Sequence, residues 1–371
     1  MHSDFLVDGK CFSPQKPLII AELGTSHNGD MVKAKEMAAA AAEAGADCVK
    51  LQMVFADEIL HPNTGEVALP GGRIRLYDRF KQLETTPEFY AELKEYIESR
   101  GLLFLCTPFG LKSARILREL GPKMVKIASP ELNFTGLLKE IAGWGLPVLL
   151  SSGVSTLGDI ETALGILRQG SGGEAAPLCL LHCVTAYPAP ETDYNLRVLR
   201  SLGAVFGVPV GVSDHSLDPE LIPALAISQG AAVIEKHFCL SRDDPGLDDP
   251  IALPPALFAR LVKAARQEAG AEQALVVFTR ERGAALVETV LGNGVKELAP
   301  SEQANYRRTN RSIHALRDIQ QGEIIQPGDF AVLRTEKILR PGLAPCWEPF
   351  LAGRTARNCI PAGEGIRFED V

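Results

Sequence analysis

Eight short apolar runs mark the first two thirds of the chain, and each breaks into polar, chemically capable residues at its C-terminal end. They are Leu18 to Leu23, Cys48 to Gln52, Leu102 to Pro108, Met124 to Ser129, Pro147 to Gly153, Leu178 to Val184, Val208 to His215 and Val233 to Phe238. Their starts lie 30, 54, 22, 23, 31, 30 and 25 residues apart. Each interval has room for a helix, so the pattern predicts an α/β chain with strand and helix alternating around a closed parallel (β/α)8 TIM barrel. In such barrels the active site sits at the C-terminal ends of the strands. Those ends carry Glu22, Lys50, Gln52, Thr107, Lys126, Ser129, Glu131, Ser151, Ser213, His215 and His237, which gathers the candidate chemistry at one rim.

Local signals agree with this pattern. Asp30 is placed to cap an alanine-rich helix that Gly45 ends before the second strand. The interval between strands two and three is too long for one helix. It predicts an irregular segment over His61 to Arg75, rich in Pro and Gly, and then a helix from about Pro87 to Arg100. A rim loop from Asp243 to Pro250 precedes a helix around Pro255 to Gly270. The expected division is a barrel over 1–285, a linker over 286–305 and a C-terminal module over 306–371. That module contains a repeat, because Ile319 to Phe330 echoes Ile360 to Val371 at a shift of 41 positions. Two related Gly-turn units predict a small pseudo-symmetric β module whose core is marginal without docking or dimerisation.

Composition narrows the class. The 371 residues exceed the ~250 of a typical barrel, in keeping with an added module. No run approaches the ~20 consecutive apolar residues of a membrane span. No basic stretch leads into an apolar one near the start, so a soluble, cytoplasmic chain without membrane contact is expected. Cys48, Cys106, Cys179, Cys183 and Cys239 lie in or beside strands without metal-finger spacing and read as small buried residues in a reducing compartment. A net charge of −8 without a basic stripe argues against nucleic acid as a partner.

His215 and His237 end neighbouring strands, so their imidazoles can converge over the barrel mouth as ligands of a divalent metal. The alternative is a pair of core or hydrogen-bonding histidines. His182, inside a strand, and His27, in a turn, have weaker claims. Lys50 and Lys126 stand among Thr107, Ser129, Ser151 and Ser213, the donor set that a ligand carrying phosphate and carboxylate requires. They could instead form structural pairs with Glu22, Glu131 or Glu235. Glu22 and Glu131 could act as a base on water or hold a sugar hydroxyl. No Gly-x-Gly-x-x-Gly or P-loop pattern occurs, so the anion expected is a small metabolite rather than a nucleotide.

Several strings at these strand ends resemble the sialic acid synthase family, which condenses phosphoenolpyruvate with amino sugars. They are Ile20-Ala21-Glu22-Leu23-Gly24 with Ser26-His27-Asn28-Gly29, Val49-Lys50-Leu51-Gln52, Cys106-Thr107-Pro108-Phe109 and Lys126-Ile127-Ala128-Ser129-Pro130-Glu131. Leu181-His182-Cys183 with Tyr187-Pro188, Gly211 to Leu217 and Glu235-Lys236-His237-Phe238 continue the match. Arg311-Ser312-Ile313, Asp318-Ile319 with Gly322-Glu323, and Arg340-Pro341-Gly342 are similar to the antifreeze-like (SAF, β-clip) domain of that family.

The resemblance implies that His215 and His237 hold Mn2+, or Mg2+ or Co2+, against the aldehyde of an open-chain N-acetylated hexosamine. Lys50, Thr107, Lys126, Ser129, Ser151, Thr185 and Ser213 would hold phosphoenolpyruvate. Glu131, Glu22 and Lys126 would serve the chemical steps, with Glu131 as the base on water. Glu22, Gln52, Tyr187, Asp248 and Arg340 would contact the sugar, Arg340 from the partner subunit of a domain-swapped homodimer. The expected product is a nine-carbon 2-keto acid, released with phosphate. There are two departures: Thr185 stands where N-acetylneuraminate synthases commonly have Asn, which bears on a phosphate contact although a hydroxyl can still donate, and the loop Pro70-Gly71-Gly72 is short and lacks an asparagine that would contact the sugar. Legionaminic or pseudaminic acid precursors, or a spore-coat-type sugar, are therefore open beside N-acetylmannosamine. The rival readings are a metal-dependent barrel aldolase and a non-catalytic carbohydrate-binding protein.

Overall fold

The structure, a computed structural model, describes residues 4–69, 72–170, 176–266, 271–336 and 338–371. Eight parallel strands form one sheet: β1 Leu18–Gly24, β2 Cys48–Met53, β3 Leu103–Pro108, β4 Val125–Ile127, β5 Val148–Ser151, β6 Leu178–Cys183, β7 Val210–Asp214 and β8 Ala231–His237. The order runs β3-β2-β1-β8-β7-β6-β5-β4, and β3 lies beside β4, so the sheet closes as expected for a (β/α)8 barrel. Helices α1 Met31–Glu43, α2 Pro87–Ser99, α3 Leu111–Glu119, α4 Thr135–Ala142, α5 Leu157–Gln169, α6 Val198–Phe206, α7 Leu221–Ser228 and α8 Pro255–Ala265 follow the strands in turn. Asp30 caps α1 by accepting from Val32 N at 2.8 Å and Lys33 N at 3.2 Å. The far end of the helix expected to reach Gly270, and Pro70 and Gly71 of the short loop, lie outside the described residues.

Strand period explains the placement of the chemistry. Leu18 and Ile20, Cys48, Leu103 and Leu105, Met124, Leu149, Cys179 and Leu181, and Val233 form a core inside the barrel. Their i±1 neighbours Ile19, Ala21, Val49, Phe104, Val125, Leu150, Leu180 and Ile234 pack outward under the helices. Six of these inward series continue two residues on into a polar group: Ile20 to Glu22, Cys48 to Lys50, Leu105 to Thr107, Met124 to Lys126, Leu149 to Ser151, Val233 to Glu235, while that of β6 runs on into Cys183. Gly211 has the inward parity of β7. A Cβ there would lie 2.5 Å from Val233 O and 2.7 Å from Leu181 Cδ2, so only glycine fits between these strands. The opposite end of the barrel is stoppered by an antiparallel hairpin, Phe5–Val7 with Lys10–Phe12, whose Phe5, Val7 and Phe12 enter the inner core.

Two regions depart from the sequence expectation. The His61 to Arg75 insert is not irregular. It holds a hairpin, Glu66–Leu69 with Gly72–Arg75, and a helix Leu76–Leu83 follows it. Both hairpin strands are short, and Gly72–Arg75 is largely exposed, so it leaves no apolar run to read. Residues 286–305, expected to be linker, begin within a helix Ala284–Leu291 and include a 3-10 turn Pro300–Glu302.

The C-terminal module pairs β9 Arg311–Ala315 with β10 Phe330–Arg334. Its repeat is visible as approximate two-fold symmetry. Ile319 and Ile360 bond each other reciprocally at 2.9 Å in both directions. Asp329 accepts from Gln326 N at 2.8 Å as Asp370 accepts from Arg367 N at 2.9 Å. Among the described residues no helix is long and apolar enough to cross a membrane.

Candidate active site

The inward polar residues build a charged floor at the C-terminal end of the barrel. Lys50 Nζ pairs with Glu22 and lies 3.3 Å from Glu235 Oε1, which also accepts from Ser213 Oγ at 2.9 Å. Lys126 Nζ donates to Ser151 Oγ at 2.7 Å and stands 3.9 Å from Glu235. Gln52 Nε2 donates to Glu22 Oε1 at 3.1 Å. Burial would lower Lys50, but Glu22 and Glu235 beside it raise it above the ordinary lysine range. Burial pushes the Glu22 carboxyl up to about 7 against the pull of Lys50, and burial lowers Lys126. The alternative considered from sequence, that the lysines pair with Glu22, Glu131 or Glu235, therefore holds for Glu22 and Glu235 but not for Glu131, which pairs with arginines. Two lysines close together are the donors a doubly charged anion can take over from those carboxylates.

Above the floor the two candidate metal ligands meet. The His215 and His237 rings have centroids 5.5 Å apart, and Tyr187 stacks on His215 at 4.4 Å. His215 Nδ1 lies 2.9 Å from Val184 O, which leaves Nε2 as the atom free to ligate. His237 Nδ1 is 3.8 Å from Asp248 Oδ2. Burial, then the neighbouring His215 and Lys50, hold His237 well below its ordinary value, so its imidazole is neutral. Cys183 Sγ lies 3.8 Å from His215 Nδ1. Burial would lower His215, but Cys183 beside it offsets this and takes it to about 9. The donor set fits a divalent ion held by two imidazoles, His215 giving up its proton on binding. Among the described residues no group of three or more His, Cys, Asp or Glu could hold one, so its other positions would fall to substrate and water.

The roof comes from the C-terminal module. Glu131 Oε1 accepts from Arg311 Nε at 2.9 Å and from Arg334 at 3.1 Å through Nε and 2.6 Å through the terminal nitrogen. Arg311 is fully buried and also donates to the carbonyls of Glu58 and Phe109. Asn133 locks the same strand, donating to Arg311 O at 2.9 Å and accepting from Arg311 N at 3.1 Å. Asn63 Nδ2 on Ala362 O, at 2.9 Å, ties the long insert to the module.

Floor and roof enclose a cavity of about 620 Å³. Of the residues expected from sequence, Lys50, Gln52, Thr107, Thr185, Tyr187, His237 and Asp248 line it. Glu22, Lys126, Ser129, Glu131, Ser151, Ser213 and His215 stand behind that lining, joined to it through the contacts above and through Ser129 Oγ on Gly153 N at 3.0 Å. Thr107 Oγ1 is buried with no partner among the described residues, an orphaned hydroxyl at the cavity wall.

Arg340, expected to reach the sugar from a partner subunit, stands apart from the group within this one chain. Its guanidinium holds Gly365 O and Asp370 at 2.8 Å inside the module, and the cations that reach the rim are Arg311 and Arg334. Sequence reasoning also gave no place to Arg334, Asn305 and Thr309, which line the cavity, or to its apolar wall of Val54, Ile59, Phe80 and Phe109. Arg311 had been noted only as part of a motif. None of the polar groups among these ends a barrel strand.

Comparison with known proteins bears on the same features. Residues 37–275 match the model of the NeuB family, and residues 310–371 match that of the SAF domain. The chain is 34% identical over 348 residues to the N,N'-diacetyllegionaminic acid synthase of Campylobacter jejuni, covering 93% of this chain and 97% of the relative. It is 33% identical to the spore coat polysaccharide biosynthesis protein SpsE of Bacillus subtilis, covering 99% and 97%. The crystal structure of that SpsE superposes with a TM-score of 0.81 over 99% of each chain, at 31% identity. The strand-end groups, the docked module and these matches agree, and the chain belongs to the NeuB family of nonulosonic acid synthases, with a SAF domain at its C-terminal end.

Proposed function

We propose that this chain condenses phosphoenolpyruvate with an open-chain N-acetylated amino sugar and water, giving a nine-carbon 2-keto acid and phosphate. The observation that carries the reading is the placement of two buried lysines, Lys50 and Lys126, under the His215 and His237 imidazoles at one strand-end cavity. Lys50 and Lys126, with the hydroxyls of Thr107, Ser129, Ser151, Thr185 and Ser213, orient the phosphate and carboxylate. His215 and His237 would hold Mn2+, which when bound supplies a Lewis acid to the aldehyde oxygen. C3 of phosphoenolpyruvate attacks the aldehyde carbon, water adds at C2, and the C2–O bond to phosphate breaks.

Glu131 accepts the proton from that water through Oε2, which is buried and unpartnered while both arginines hold Oε1. Glu22, Gln52, Tyr187 and Asp248 contact the sugar. The apolar wall suits the methyl groups of a 2,4-diacetamido-2,4,6-trideoxyhexose, a reading supported by the similarity to a protein named for legionaminic acid. We further propose a homodimer in which SAF domains are exchanged across the same docking surface, with Arg311 and Arg334 taking the bridging role first given to Arg340.

The test is phosphate release from phosphoenolpyruvate with Mn2+, offering the trideoxyhexose beside N-acetylmannosamine and mannose, with EDTA as control. Metal-dependent release with one acceptor supports the synthase. Cleavage of a keto acid without phosphate chemistry would replace it with an aldolase.

A further inference from the structure

Glu302 is 1% exposed, yet it belongs to neither the floor nor the roof. It ends the 3-10 turn Pro300–Glu302 in the stretch expected to be linker. Its Oε1 accepts from Val154 N at 2.8 Å and from Thr185 N at 2.7 Å, and its Oε2 accepts from Ala299 N at 3.3 Å. Val154 follows β5 and Thr185 follows β6, so one oxygen joins the loops leaving two adjacent strands. The carbonyls of the same two residues are held as well, by Asn310 Nδ2 on Val154 O at 3.1 Å and Asn305 Nδ2 on Thr185 O at 2.8 Å. A buried carboxylate needs such donors, because burial without them is costly.

The packing at Gly153 shows what the bridge fixes. A Cβ on Gly153 would run into Thr185 Oγ1, 2.9 Å from Ser129 Oγ and 3.1 Å from Glu302 Oε1. Ser129 and Thr185, two hydroxyls of the proposed phosphate site, thus meet Glu302 at one point with no room between them. Asn305 and Thr309, three and seven residues further on, line the cavity.

We infer that Glu302 is a positioning residue of the phosphoenolpyruvate site. By bridging the Val154 and Thr185 amides it sets the Ser129 and Thr185 hydroxyls and holds residues 305–309 as a cavity wall, so the segment before the SAF domain completes the site. The inference rests on the function proposed above. Displacing these hydroxyls should weaken ligand binding more than the chemical step.

In E302A the KM for phosphoenolpyruvate should rise about tenfold or more with kcat within about threefold, and E302Q, which keeps one acceptor oxygen, should fall between E302A and the wild type. Hydrogen exchange at the amides of residues 153–155 and 185–187 should quicken in E302A. If E302A does not fold, E302Q and N305A carry both measurements. An unchanged KM, or a loss confined to kcat, overturns the inference, as does unchanged exchange. The exchange readout needs no turnover. A protein that releases no phosphate but loses protection at these amides in E302A would refute the proposed reaction and leave the bridge in place.

Discussion

The floor and the roof of the cavity are both buried ion clusters, built in opposite ways. In the floor, strand-borne Lys50 and Lys126 face Glu22 and Glu235 from β1 and β8, all within the barrel. In the roof, one barrel carboxylate, Glu131, faces two guanidiniums that arrive from 180 and 203 residues away. The floor leaves its charges mobile among partners, since Glu22 is held near 7 and Lys126 is lowered. The roof fixes its charges by gathering both guanidiniums on one carboxylate oxygen and by carbonyl bonds. A cluster that must trade partners suits ligand binding, whereas a cluster with every guanidinium engaged suits docking and leaves only Glu131 Oε2 for chemistry.

The largest expected effect breaks the roof. Arg311→Met leaves Glu131 short of a partner in a fully buried place, and losing one member of such a pair costs on the order of 3–5 kcal/mol. Urea denaturation measures this, and a loss under ~1 kcal/mol would show that the roof is not structural.

The floor and its imidazoles come next. His237→Ala is expected to keep the fold and to lower metal-dependent phosphate release by ~100-fold or more. Unchanged turnover would remove the metal role.

A pH effect should separate the two clusters. Because Glu22 is raised from 4.5 to about 7, the native state holds its proton more tightly than the unfolded chain. Its ionisation therefore costs stability, by nothing below about pH 4.5 and in full above about pH 7. Glu22→Gln should gain on the wild type across that window by on the order of 2 kcal/mol, and a pH-independent difference between the two would contradict the assignment.

The smallest effect is Arg340→Ala. This arginine pairs with Asp370 near the module surface, so a loss of ~1 kcal/mol or less with nearly unchanged activity is expected. A large drop in turnover would return Arg340 to the site.

The floor was legible because its parts obey one local rule. An inward apolar residue followed two positions later by Lys, Glu, Ser or Thr reads directly from the sequence of six of the strands, as in Cys48 to Lys50 and Met124 to Lys126. His215 and His237 were found by their place at the ends of neighbouring strands. The hairpin Glu66–Leu69 with Gly72–Arg75 was missed because its strands are four residues each and Gly72–Arg75 buries too little to impose a period. Arg334 was missed because an arginine ending a short strand of a small module looks like any solvated surface arginine. Glu302 carried no signal either, since what buries it is the pair of amides it meets and not its own neighbours.

Sequence by itself determined the barrel, the rim that bears the chemistry and the presence of a repeated C-terminal module, because periodicity and turn signals act over a few residues. Tertiary structure alone decided that Lys50 answers to two carboxylates, that Glu131 belongs to Arg311 and Arg334 rather than to open solvent, and that Arg340 turns back into its own module. These are contacts between distant parts of the chain, and their energies depend on burial and on three-dimensional proximity, which no local pattern encodes.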